Sequence, residues 1–203
     1  MTNDPNTSFL FNHKSVLSQE IISSIDYCPH KGSNQFVGID LTLGGGGHSY
    51  QLLRKFPALK IIGIDQDPHA IEAAKENLKE FQHRIQIEPV NFKNYKPREK
   101  VSFIIGDLGV NSSQIDNPIR GFSFNKDGPI DMRMNPSSLL EAKNIIEDLD
   151  EKELANLIYK YGDERFSRRI ARKIKSDLRE KGEYTGTKEL AYSWNDLVCK
   201  YFK

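Results

Sequence analysis

A chain of 203 residues, 37% hydrophobic and 28% charged, has apolar material for one globular domain, or one with a small appendage. No stretch is long and apolar enough to span a membrane, and the first residues lack the basic and apolar segments of a signal peptide. A net charge of +1 excludes a global electrostatic pull on nucleic acid, so any such affinity must come from local clusters. The two cysteines, Cys28 and Cys199, lack metal-ligand spacing and read as free thiols of a reducing, cytoplasmic compartment, with no metal site implied.

Residues 1–12 are polar, and 16–25 read as a short amphipathic helix. The apolar stretch 36–39 then ends in a carboxylate, Asp40. Four glycines follow at 44–47, and a helix is predicted over 48–55. A strand, a bare-backbone turn and a helix N-terminus in succession let a ligand approach the main chain and meet unpaired N–H groups. The dinucleotide fingerprint G-x-G-x-x-G is not met, because from Gly44 the third glycine falls at Ser49 and from Gly45 at Tyr50. A second buried strand, 60–64, ends at Asp65, 21 residues beyond Gly44, where a carboxylate can accept hydrogen bonds from ribose hydroxyls. Asp67 and Pro68 start the next helix, whose core positions are Ile71, Ala74, Leu78 and Phe81.

Strands predicted over 35–40, 60–65, 84–90 and 101–106 alternate with helices, which argues for a parallel sheet. Ligands sit outside the carboxyl ends of such strands. Asp40, Asp65, the pair Asn91 and Phe92, and Asp107 all stand there. The following segment, 107–134, mixes Gly, Pro, Ser and Asn with Phe122, Phe124, Met132 and Met134, and reads as an ordered loop over a cofactor. From about residue 139 to 180 the chain looks helical throughout. Leu154, Leu157, Ile158 and Tyr161 form one apolar face, and Phe166, Ile170, Ile174 and Leu178 another. The second of these helices carries Arg165, Arg168, Arg169, Arg172, Lys173, Lys175 and Arg179. That run is either a solvated face or a phosphate-binding one, with Arg168 and Arg172 as candidate substrate contacts.

The run from Asp40 to Gly46, D-x-T-x-G-x-G, resembles the first motif of class I methyltransferases. The segment from Arg120 to Met134 resembles the R-G-F-S-F…D-G-P-[LI]-D-M-R-M block of the RsmH (MraW) family of 16S ribosomal RNA cytosine-N4 methyltransferases. H-x-x-V-L at 13–17, D-x-T-x-G-x-G-G-H at 40–48, G-x-D-x-D-P at 63–68 and Y-G-[ED]-E-R-F at 161–166 match the same family. The resemblance covers roughly 13 to 193. It implies an α/β fold, a class I (Rossmann-like) parallel sheet with an inserted helical domain. The S-adenosylmethionine-binding part would be 1–135, and 136–203 an incomplete substrate-recognition part. The implied cofactor contacts are Gly46, Gly47, His48, Asp65, Phe92, Asp107 and Gln114. The implied partner is 16S rRNA in the small ribosomal subunit, without a membrane.

Within that reading Asp107 either polarises the target amine or holds the methionine part of the cofactor. Phe122 and Phe124 either stack on an extruded base or pin the loop to the core. Three positions depart mildly from the family pattern: Leu41, the pair Gly44 and Gly45, and Asn111. After Ser193 the residues do not resemble the family's continuation, which implies that C-terminal strands are missing and that a sheet of four or five strands has an exposed edge favouring a homodimer. A cofactor-binding but inactive remnant and a small-molecule methyltransferase are the alternative functions.

Overall fold

The computed structural model describes residues 16–26 and 36–194. His13 of the first family motif, Cys28 and Cys199 lie outside the described residues. The described residues fall into two compact units, one up to Asn111 and one from Ser112 onward, whereas the sequence places its boundary at 135/136.

The first unit is a parallel sheet. β1 (Phe36–Asp40), β2 (Leu59–Asp65), β3 (Ile85–Pro89) and β4 (Phe103–Ile105) lie in the order β3-β2-β1-β4. Register pairs Ile39 with Ile62 and with Ile104, and Asp65 with Pro89, so the carboxyl ends align on one rim. The chain adds strands outward from β1 to β3 and then returns to lay β4 on the other side of β1. The switch point of this Rossmann-like arrangement therefore falls between Asp40 and the residues after β4. β4 is shorter than the predicted 101–106 because among the described residues it has only β1 to pair with.

Three helices, α1 (Ser18–Asp26), α2 (Gly47–Lys55) and α3 (Pro68–Asn77), cover one sheet face. Leu52, Leu53, Leu59, Ile61, Ala74 and Leu78 are almost wholly buried there, with Ile85, Ile87, Phe103 and Ile105 packed against them. Asp67 caps α3 by accepting the His69 N–H at 3.1 Å, with Pro68 at its first position, and Ile71, Ala74, Leu78 and Phe81 are buried as their spacing predicts. The opposite face is only partly closed. Ile39 and Ile64 are buried, but Lys60 and Ile104 are exposed.

Arg84 locks the end of α2. Its guanidinium donates to the carbonyls of Leu53 (2.9 Å), Phe56 (3.0 Å) and Pro57 (3.1 Å), and its carbon lies 4.9 Å from the Phe81 ring centroid. A cation that satisfies several orphan carbonyls at a helix C-terminus is favourable twice over. Arg84→Ala is expected to destabilise the chain by about 2 kcal/mol in urea unfolding, and Arg84→Lys to recover less than half, since an ammonium cannot reproduce the planar fork.

The second unit is helical: α4 (Ser112–Asp116), α5 (Ala142–Asp148), α6 (Glu151–Gly162), α7 (Ser167–Lys181) and α8 (Thr187–Ser193). The stretch 139–180, expected to be helical throughout with two successive apolar faces, is interrupted twice. A capping box of Asp150 and Glu153 restarts the chain at α6, and Asp163 turns left-handed (φ 50°) after it. Leu154, Ala155, Ile170, Ala171, Ile174 and Tyr184 form the core with Ile130. Tyr161, expected on the apolar face of α6, is exposed in the last turn of that helix, and Ala155 is buried instead. The segment after Ser112 is stitched into this unit. Thr187 N–H donates to Gly128 O, Ala142 N–H to Asp131 O and Lys143 N–H to Ile130 O. Buried Arg120 donates to the carbonyls of Arg133 and Met134.

Two carboxylates of this unit are held ionised. Glu189 accepts from Lys181 Nζ and from the Thr185 N–H and hydroxyl, which brings it down to about 2. Burial works against the charge of Asp177, but hydrogen bonds from Lys173 and Tyr184 outweigh it and its pKa is lowered. Both folded values lie below the unfolded ones, so their stabilisation is present above about pH 4.5 and is lost as pH falls toward 2. Trp194, the chain's single tryptophan, packs on this core and reports it. An acid titration followed by its fluorescence should show the loss between pH 4.5 and 2, and Glu189→Gln should flatten it.

Candidate functional site

The rim of the first unit gathers the sequence's strand-end carboxylates around the glycine turn. Asp40 ends β1, buried, and accepts from the Ser49 hydroxyl at 2.8 Å and the Thr42 N–H at 3.2 Å. Burial raises its pKa, and those two hydrogen bonds oppose the rise. Asp65 ends β2 and accepts the Gly44 N–H at 2.8 Å on one oxygen and the Asp67 N–H at 2.9 Å on the other. One carboxylate thus ties the glycine turn to the start of α3. Each oxygen still has a lone pair for a ligand hydroxyl.

The turn requires glycine at one place above all. Gly46 caps α2 at φ 82°, and a Cβ there would lie 2.7 Å from Leu78 Cδ1. Asn77 Nδ2 holds the Gly45 carbonyl at 2.9 Å from the far side. A Cβ at Gly44 would meet nothing closer than 3.9 Å, so the outer side of the turn is open. The first N–H groups of α2, at Gly47 and His48, have no partner within the helix. A bare open turn, a helix start and a carboxylate at its edge fit a nucleoside-bearing cofactor.

Asp107 comes to the same rim from the other side of β1. Its N–H donates to Thr42 Oγ1 at 2.7 Å, and its carboxylate lies 3.8 Å from His48 Nε2. His48 is 12% exposed and Asp107 63%, so a largely covered imidazole flanks a carboxylate that faces out. Phe92 opens a short 3-10 turn after β3 and is 41% exposed, on a backbone shaped by Asn91, which accepts the Lys93 N–H and donates to Gln66 Oε1. Gly46, Gly47, His48, Asp65, Phe92 and Asp107 thus all belong to the first unit.

The remaining candidates lie in the second unit. Gln114 is buried in α4. Phe122 is partly buried, 5.9 Å from its ring centroid to the Arg120 guanidinium, and Phe124 is 59% exposed. Arg168 is exposed on α7, while Arg172 is paired with Glu151 at 3.2 Å. Three more cations of α7 are engaged: Lys173 with Asp177, Lys175 with the carbonyls of Ile146 and Glu147, and Arg169 against the Phe166 ring. Sequence reading missed Thr42, Ser49 and Asn77 as supports of the turn. Thr42 stood inside the quoted motif, but only the fold shows that it reaches across to β4. Among the described residues no cluster of His, Cys, Asp and Glu is arranged to hold a metal ion, and no helix is long and apolar enough to cross a membrane.

A sequence profile of the MraW methylase family matches residues 10–202. The match therefore runs past Ser193, where the sequence reading ended it. The ribosomal RNA small subunit methyltransferase H of Prochlorococcus marinus subsp. pastoris (strain CCMP1986) is 62% identical over 193 residues, 95% of this chain and 64% of that protein. Its counterpart in Prochlorococcus marinus (strain NATL2A) is 51% identical over 183 residues, 90% of this chain and 60% of that protein. The chain thus spans somewhat less than two thirds of the length of these relatives. Superposition on a SAM-dependent methyltransferase from Geobacter sulfurreducens, 10% identical over 86% of this chain and 87% of that one, gives a TM-score of only 0.37. With a profile that spans nearly the whole sequence, the chain belongs to the MraW methylase family.

Proposed function

We propose that the protein binds S-adenosylmethionine on the glycine turn and transfers its methyl group to the N4 amine of a cytidine in the decoding region of 16S rRNA, in small subunits in the cytoplasm. The observation that carries this reading is the convergence of Asp65 and Asp107 on the open Gly44–Gly47 turn, together with membership of the methylase family.

In this reading Asp65 receives the ribose hydroxyls, the backbone of Gly46 and Gly47 and the start of α2 face the cofactor's carboxylate end, and Phe92 lies against the adenine. When bound, the sulfonium supplies an already activated methyl. The cytosine amine is a poor nucleophile because its lone pair is delocalised into the ring. Asp107, fixed by Thr42 and flanked by His48, accepts an amine N–H and orients the nitrogen in line. With the cofactor bound, transfer would break its carbon–sulfur bond, and the proton lost from the amine nitrogen would pass by way of the exposed Asp107 carboxylate to solvent. Gln114 as a further cofactor contact, Phe122 and Phe124 as base-stacking groups, and the helical part from 136 as the RNA-recognition domain rest on the family resemblance.

Incubation of the purified chain with methyl-labelled cofactor and small subunits lacking the modification should place label in one 16S cytidine. Absence of label, in an assay where a full-length relative succeeds, favours the alternative that this length of chain binds cofactor without transferring the methyl.

A further inference from the structure

Parallel sheets are normally covered on both faces. Here the face away from α1, α2 and α3 opens into a groove of about 790 Å³ that lies wholly within the first unit. Its floor is the half-buried Val37 and Ile62. One wall follows β3 from Arg84 to Val90, and the other is the loop 94–101. A cavity of that size is in the range of small-ligand sites, but this one is a track rather than a pouch. The residues after Val90 are Asn91 and Phe92 on the cofactor rim, and the far end lies near Lys60, five residues before Asp65, or roughly 16 Å along β2.

The charge of the groove is unlike that of the chain. Lys60, Lys96, Arg98 and Lys100 line it, all exposed. Among the described residues none of their charged groups takes part in a hydrogen bond or ion pair. Arg84, the other cation on the lining, is occupied by backbone carbonyls. Against the two acids present, Glu88 and Glu99, the five cations of the lining leave a surplus of three positive charges in one groove, two of them if Arg84 is set aside, whereas all 203 residues together carry +1. Elsewhere in the fold cations are mostly spent, as on α7. Cations left without partners around an extended groove with an aromatic on its wall, Tyr95, are the physical requirements for gripping single-stranded nucleic acid. The cations track phosphates and the ring offers a stacking surface.

We infer that this groove is an RNA-binding track that holds the phosphodiester backbone of a single-stranded segment and leads it toward the Asn91–Phe92 end of the sheet. The inference rests on the RNA-substrate reading above, and it adds a site distinct from the glycine turn and from α7.

The test compares two triple variants of the chain. Lys96→Gln, Arg98→Gln and Lys100→Gln removes three groove charges from an exposed loop. Lys55→Gln, Lys75→Gln and Lys79→Gln removes three from the helical face. Each is titrated with a fluorescein-labelled single-stranded RNA of decoding-region sequence, by anisotropy, from 50 to 250 mM KCl. Thermal unfolding and S-adenosylmethionine calorimetry check that fold and cofactor site are intact. The groove variant should bind RNA at least tenfold more weakly, with the slope of log affinity against log salt reduced by about 2, at ~0.7 per lost phosphate contact. The helix variant should be near wild type. Equal losses in both variants, or an unchanged groove variant, overturn the track. If methyl transfer to small subunits persists in that case, the activity reading stands without it. A wild-type chain that binds no RNA also overturns the track, and the calorimetry then decides separately whether the cofactor reading survives.

Discussion

Asp65→Ala should weaken S-adenosylmethionine binding about 100-fold, which corresponds to roughly 2.7 kcal/mol. Two effects add. The carboxylate that meets the ribose is removed, and the Gly44 and Asp67 N–H groups lose the acceptor that ties the turn to α3. Hydrogen bonds to a charged group are each worth about 1.5–3 kcal/mol, and partial exposure at Asp65 discounts them. Asp65→Asn keeps one acceptor oxygen, so it can hold one of the two N–H groups and should cost about tenfold. Titration calorimetry on both variants decides the point. An Asp65→Ala protein within twofold of wild type would mean that the turn is not the cofactor's seat. Thermal unfolding should move by only a few degrees, because the sheet core beneath the rim is untouched.

The second large effect is on stability and falls on the other unit. Gly121 sits at φ 73°, closing the short turn 118–120 with its N–H on the Pro118 carbonyl. A Cβ there would lie 2.4 Å from Pro129 O and 2.7 Å from Asp131 N, both backbone atoms with no rotamer to change. Gly121→Val therefore combines a conformation that β-branched residues avoid with a clash that only main-chain movement relieves. That movement would pull on Ile130 in the core and on buried Arg120 beside it. A loss of at least about 3 kcal/mol is expected, read as a collapse of hydrogen-exchange protection in residues 112–194 while the strands of the first unit stay protected. Gly162→Ala, where an added Cβ meets nothing within 4 Å, is the matched control and should be neutral.

The strand-end carboxylates were legible in the sequence because strands, turns and helix caps are local. The alternation of apolar runs with helical spacing places four parallel strands within two residues of their observed bounds, the largest difference being at the short edge strand β4. The N-cap at Asp67 and the buried positions Ile71, Ala74, Leu78 and Phe81 followed from spacing alone. The two helix breaks were harder to see. Asp150 and Glu153 form a capping box that can be found by pattern, but the apolar spacing runs on across it, and periodicity alone does not place the ends of the helices. The basic run of α7 was legible as charge but not as free charge. Its partners Glu151 and Asp177, and the carbonyls of Ile146 and Glu147, are assigned only by packing.

Residue type and spacing suffice for the family and the rim: which residues end the strands, where the backbone is bare, and which carboxylates stand beside it. These are properties of short segments whose chemistry is fixed by residue type and spacing. The tertiary structure decided what each of those groups is attached to. Thr42 reaches Asp107 across 65 residues, Asp65 reaches back 21 residues to Gly44, and His48 faces Asp107 from another element. It also decided that, among the described residues, one sheet face is only partly covered, with Lys60 and the cations of the 94–101 loop around it. Such pairings depend on strand order and on which face a helix covers, and long-range packing, rather than any local pattern, sets both.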